Sequence, residues 1–158
     1  MSKLSDLFAD LKYYGQQFHR CGEALVELSQ IDPRSPGIAK VATHLAGTYT
    51  MLARYIASTS KDIRSFLLGR GRYLKNPYEL DLSKVEHLYR MVRSMAEAAI
   101  HKIERCQGRR KQYTAAMAAY RIVEQDVRAA AQALLLVAQH LGKDTPEWRR
   151  RLKIDEWL

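Results

Sequence analysis

What is scarce in this chain narrows it first. Only two cysteines occur, Cys21 and Cys106, too few for a disulfide framework. Each falls on the apolar stripe of a predicted helix, where a thiol behaves as a small buried hydrophobe. Both are expected to be free, a usage that fits a reducing compartment. No apolar stretch approaches the eighteen or so residues of a bilayer-spanning helix; the longest, 129–138, is interrupted by Gln132. The opening residues MSKLSDLFADLKYYG are amphipathic and carry acids, unlike a secretory signal. A soluble, cytoplasmic protein is expected.

Chemical motifs are scarce as well. There is no HExxH, no CxxC and no Glu followed three residues later by His, so zinc and ferritin-type metal sites have no sequence support. His19, His44 and His101 fall on three different predicted helices and read as scattered surface histidines. Cys106 has His101 five residues behind it, a spacing that does not share a helix face. The run Gly69-Arg70-Gly71-Arg72 lacks the Gly-Lys-Ser/Thr ending of a phosphate loop and follows no strand. No cofactor, metal or catalytic constellation is expected, and the chain reads as a non-enzyme.

Positive charge, by contrast, is abundant. Lys and Arg number 26 against 17 Asp and Glu, a formal net charge of +9. An excess of this size favours a polyanionic partner: nucleic acid, an acidic protein surface or an anionic membrane.

Apolar periodicity sets the architecture. Every seventh residue from Val85 through Val92, Ala99, Cys106, Tyr113, Tyr120, Val127 and Leu134 to Leu141 is apolar. The companion row, Leu88, Met95, Lys102, Arg109, Ala116, Val123, Ala130 and Val137, is broken only by Lys102 and Arg109. Such a repeat is the seam of long helices packed lengthwise. Helix one is predicted to end before Ile31-Asp32-Pro33, because the residue ahead of a proline leaves the helical region. Helix two is predicted to start with Ser35 as cap and Pro36 at its first position, and to stop at Leu68-Gly69. Helix three opens on Ser83-Lys84-Val85-Glu86, a candidate capping box.

Gly108 poses a choice. A break there gives helices of about 25 and 31 residues, whereas continuity gives one of about 59 residues, close to 90 Å long. The break is favoured, since it makes four lengths that match as an up-down bundle requires. Gly142 is predicted to end helix four, and Thr145-Pro146 to start a short helix whose narrow apolar side bears Trp148, Leu152 and Asp155. The expected fold is all-α: one domain over 1–158, an elongated antiparallel up-down bundle of four long helices plus a short C-terminal one. Its core should hold Leu11, Phe18, Leu45, Leu52, Val92, Met95, Tyr120, Val127 and Leu134.

Two basic segments carry the functional expectation. Arg70, Arg72, Tyr73 and Lys75 precede helix three; Arg149, Arg150, Arg151 and Lys153 fill the last helix. An up-down bundle puts both at one end. A secondary cluster, Arg109, Arg110 and Lys111, falls at the other end beside Arg34. Cations interleaved with Tyr73, Tyr78, Trp148 and Trp157 suit phosphate neutralisation with base stacking. The expectation is a non-catalytic subunit that holds nucleic-acid backbone within a larger assembly. The alternative is a scaffold that docks on anionic membranes or proteins as an elongated dimer, which a continuous helix through Gly108 would favour.

Overall fold

Gly108 breaks the long seam into two helices. In the computed structural model, which describes residues 3–32, 34–67, 81–106 and 108–158, Gly108 takes φ +84°. That left-handed conformation is open to glycine and interrupts a helix. Helix α3 (Leu82–Arg105) therefore stops ahead of it and α4 (Arg110–His140) begins beyond it. With α1 (Lys3–Ser29) and α2 (Ile38–Leu67), the four long helices form an all-α bundle. Helix α5 (Pro146–Leu152) and a 3-10 helix (Ile154–Trp157) follow. Among the described residues no helix is long and apolar enough to cross a membrane.

Two helix starts differ from expectation. Helix α2 starts at Ile38, not Pro36, because Gly37 takes φ +79° and cannot belong to the helix. The cap of α3 is Asp81, whose carboxylate accepts from the Ser83 amide at 3.0 Å and the Ser83 hydroxyl at 2.9 Å. Ser83 thus sits inside the helix, and Glu86 closes no capping box. It binds Trp148 and Arg151 of the last segment instead. The end of α4 is as expected: Gly142 and Lys143 donate to the Gln139 and Ala138 carbonyls, a Schellman closure.

Successive helices alternate in direction, and around the bundle their order is α1–α2–α4–α3. Parallel neighbours are visible in their contacts. Phe8 meets His87 near the starts of α1 and α3, with ring centroids 5.3 Å apart. Glu23 meets Lys102 near their ends. Likewise Arg64 of α2 lies 3.5 Å from Asp126 of α4, late in both. Three of the four neighbouring pairs pack closely, while α1 and α3 meet more loosely. Alanines 115, 116, 119, 130, 131 and 138 let α4 approach its neighbours closely, and all are buried.

Leu11, Phe18, Leu52, Val92, Val127 and Leu134 are buried, and Phe18 stacks on Tyr49 at 4.3 Å. Leu45, Met95 and Tyr120 are only half-buried. Met95 borders the loose α1/α3 seam, and Tyr120 keeps its hydroxyl beside Glu124. Lys102, one of the two breaks in the apolar row, is nonetheless buried and paired with Glu23. Cys21 and Cys106 are free and buried; burial pushes the Cys21 thiol up to about 11.

Candidate functional site

The C-terminal segment is built as a clasp. Thr145 caps α5 by accepting from the Trp148 amide at 3.2 Å. Trp148 is buried and its indole N–H donates to Glu86 at 2.9 Å. The Leu152 carbonyl, last in the helix, accepts from the Tyr89 hydroxyl at 2.7 Å and from the Arg93 guanidinium. Lys153 then turns left-handed at φ 53°, which folds Ile154 and Trp157 into the core and leaves Asp155 exposed. The expected single apolar side, with Asp155 on it, is therefore replaced by four buried residues over two short helices. Neither tryptophan presents a face for stacking.

The basic residues of this segment are partly spent on that clasp. Arg149 binds Asp144 at 2.6 and 2.8 Å and Asp155 at 3.1 Å. Those carboxylates raise its pKa further above its ordinary value, and the guanidinium in turn holds Asp144 below the usual carboxylate range. Arg151 stands 3.7 Å from Glu86. Arg150 and Lys153 are exposed without an acidic partner among the described residues. Four acids, Asp144, Glu147, Asp155 and Glu156, share residues 143–158 with five cations, the four above and Lys143, so the local excess is small. Arg70, Arg72, Tyr73, Lys75 and Tyr78 lie outside the described residues.

The secondary cluster has a different setting. Between Asp32 and Asp62, and again between Glu104 and Glu124, the chain contains no Asp or Glu. The first stretch carries Arg34, Lys40, Arg54 and Lys61, the second Arg105, Arg109, Arg110, Lys111 and Arg121. Those nine cations equal the net charge of the whole chain; elsewhere 17 cations meet 17 acids. The fold lays the two stretches side by side, because α2 packs parallel to α4.

Between them runs a groove of about 1000 Å³. Arg54 and Tyr55 from α2 and Arg110 and Lys111 from α4 line it, over a floor of Ala46, Gly47, Ala115 and Ala118. Lys40, Gly47, Arg54 and Lys61 follow one another at intervals of seven, about 10.5 Å per step along α2. Arg54, Lys61, Arg110, Lys111 and Arg121 are exposed and have no ion pair among the described residues. Tyr55 is 44% exposed, its ring 5.2 Å from Tyr14, which in turn lies 5.8 Å from the exposed Tyr13. A row of tyrosines thus leads away from the groove over α1. Among the described residues, only Arg34 and Arg105 of the nine are ion-paired, with Asp32 and Glu23.

The start of α4 adds an electrostatic oddity. Arg109 is its N-cap, makes no side-chain cap bond, and no acid stands in the first turn. Three consecutive cations crowd the positive end of the helix dipole, where anions belong. Local stability is opposed here, a pattern that marks functional sites.

Sequence reasoning missed Lys40, Arg54, Tyr55, Tyr13 and Arg121. The signal was the missing acids, spread too widely to look like a cluster. No group of three or more His, Cys, Asp or Glu gathers to hold a metal ion among the described residues. Comparison with models of protein families, with curated proteins and with solved structures finds no match.

Proposed function

We propose that the chain is a non-catalytic helical subunit that grips the phosphate backbone of nucleic acid, within a larger assembly, through the α2/α4 face. One observation carries the reading: seven cations, Lys40, Arg54, Lys61, Arg109, Arg110, Lys111 and Arg121, have no ion pair among the described residues and fall on acid-free stretches of α2 and α4, which pack side by side. Cations without internal partners release their counterions to a polyanion at no cost in broken salt bridges, which makes binding strong at low salt and insensitive to sequence. The exposed Tyr55 and Tyr13, with the half-buried Tyr14 between them, offer faces on which unpaired bases can stack. The groove cations Arg54, Arg110 and Lys111, with Arg109, form the main contact in this reading. Arg150, Arg151 and Lys153 form a second contact in this reading; Arg70, Arg72, Tyr73 and Lys75, which lie outside the described residues, are assigned to it on their sequence alone. The membrane alternative drew on one continuous helix, and the break at Gly108 removes that support.

The test compares salt dependence. Replacing Arg54, Arg110 and Lys111 by Ala should lower the slope of log affinity against log salt by about two to three units on a labelled oligonucleotide. Replacing Arg149, Arg150 and Arg151 should lower it less, since Arg149 is already neutralised. Absence of oligonucleotide binding at low salt, beside Arg-dependent binding to anionic vesicles, would overturn the proposal.

A further inference from the structure

On the opposite side of the bundle, α1 and α3 are the loosest of the neighbouring helices and leave a groove of about 660 Å³ between them. We infer that this groove docks an acidic amphipathic helix from a partner protein. The inference does not depend on nucleic-acid binding, because it uses a different face and different residues.

The floor is apolar and adaptable. Phe18 forms its base, and Met91 and Met95, four residues apart on α3, form its α3 wall. The Met95 methyl occupies the space that a side chain at Gly15 would need. Gly15 is a poor helix former, and its missing side chain makes room for that methyl at the groove floor. Unbranched, polarisable methionines repack around different apolar partners, which is why they recur on helix-binding surfaces.

The rim is basic on both sides. Lys12 and Arg20 stand on α1 and Arg90 on α3, with His19 and His87 between them. No carboxylate lines the groove, and Lys12, Arg20 and Arg90 have no ion pair among the described residues. Lys12 and Arg20 are eight residues apart, about 12 Å along the helix. The groove therefore matches two to three turns of a guest helix, with anchors at i, i+4 and i+7 and acids on both flanks.

Two features favour a discrete acidic helix over a second polyanion tract. The apolar floor has nothing to offer a phosphate chain. Exposed Asp6, Asp10 and Glu97 stand beside the basic rim on the same two helices, so its cations do not run on along them as an unbroken tract. A bundle whose fourth seam is open also has room for one more helix laid lengthwise, and burial of its apolar stripe would close that seam.

The test uses the full chain and a display library of helical peptides of about sixteen residues. Enriched peptides should carry an apolar row at i, i+4 and i+7 with Asp or Glu on both sides of it. Met91→Glu should weaken their binding about tenfold or more, as expected at the centre of an interface. The double variant Arg20→Glu/Arg90→Glu alters only exposed side chains, so it keeps the fold if Met91→Glu does not, and it should weaken them comparably. Oligonucleotide affinity should stay at the wild-type value in both variants. Enrichment without acidic bias, or binding indifferent to both variants, overturns the inference. So does a loss of oligonucleotide binding in Arg20→Glu/Arg90→Glu with peptides unaffected, or a dimer of this chain that Met91→Glu dissociates.

Discussion

Arg109→Ser separates stability from binding in a single substitution. The residue occupies the N-cap of α4 with φ −117° and ψ 92°, the extended geometry in which a serine hydroxyl accepts from an amide of the first turn. Arginine cannot accept, so serine adds a missing bond worth about 1 kcal/mol. It also takes one cation away from the positive end of the dipole, a gain of about 0.3 kcal/mol at an exposed helix end. Against this stands the attraction between Arg109 and Asp32, which acts across open solvent and is screened by salt. The net gain of about 1 kcal/mol should raise the melting temperature by about 2–4 °C in a chain of this size. If Arg109 also neutralises a phosphate, the same variant loses about 0.7–0.9 from its salt slope. Calorimetry and fluorescence anisotropy of a labelled oligonucleotide across a salt series measure the two effects. A lower melting temperature would refute the account of the uncapped helix end. An unchanged slope would remove Arg109 from the interface.

Other expectations concern the interior. Leu134→Ala and Leu52→Ala should each cost about 2–5 kcal/mol in urea unfolding, since both side chains are buried; losses below about 1 kcal/mol would place the seam on the wrong face. Lys102→Met should stay within about 1 kcal/mol of wild type, whereas Glu23→Ala should cost about 2 kcal/mol because it strands a buried ammonium; the reverse ranking would refute the pairing. Asp126 is buried on α4, Ser60 and Arg64 only partly offset its burial, and its carboxyl is pushed up to about 6. A raised carboxyl pKa means the folded state holds its proton longer, so the stability it allows is complete below about pH 4 and is lost as pH rises through 6. Asp126→Asn should therefore match wild type near pH 4 and exceed it by about 2–3 kcal/mol at pH 7.5; equal stability at both pH values would contradict the assignment.

Helix identities and most ends could be read from the chain alone, because a packed helix repeats its apolar residues at a period the backbone imposes. Val85, Val92, Val127 and Leu134 lie in that row and are buried. Where a neighbouring residue competed locally, the reading missed by two residues: Asp81 outcompeted Ser83 for the cap, and Gly37 delayed α2. The acid-free stretches were also plain in the sequence, but nothing in a one-dimensional pattern says that α2 neighbours α4 and not α3. That order comes from which apolar faces, at what angles, bury the most surface together. The same three-dimensional packing decided that Lys102 is buried against Glu23, that Arg149 is held by Asp144 and Asp155, and that both tryptophans face inward. Charge along the chain is a property of sequence. Whether a charge is free to meet a partner depends on which residues the fold brings within a few ångströms of it.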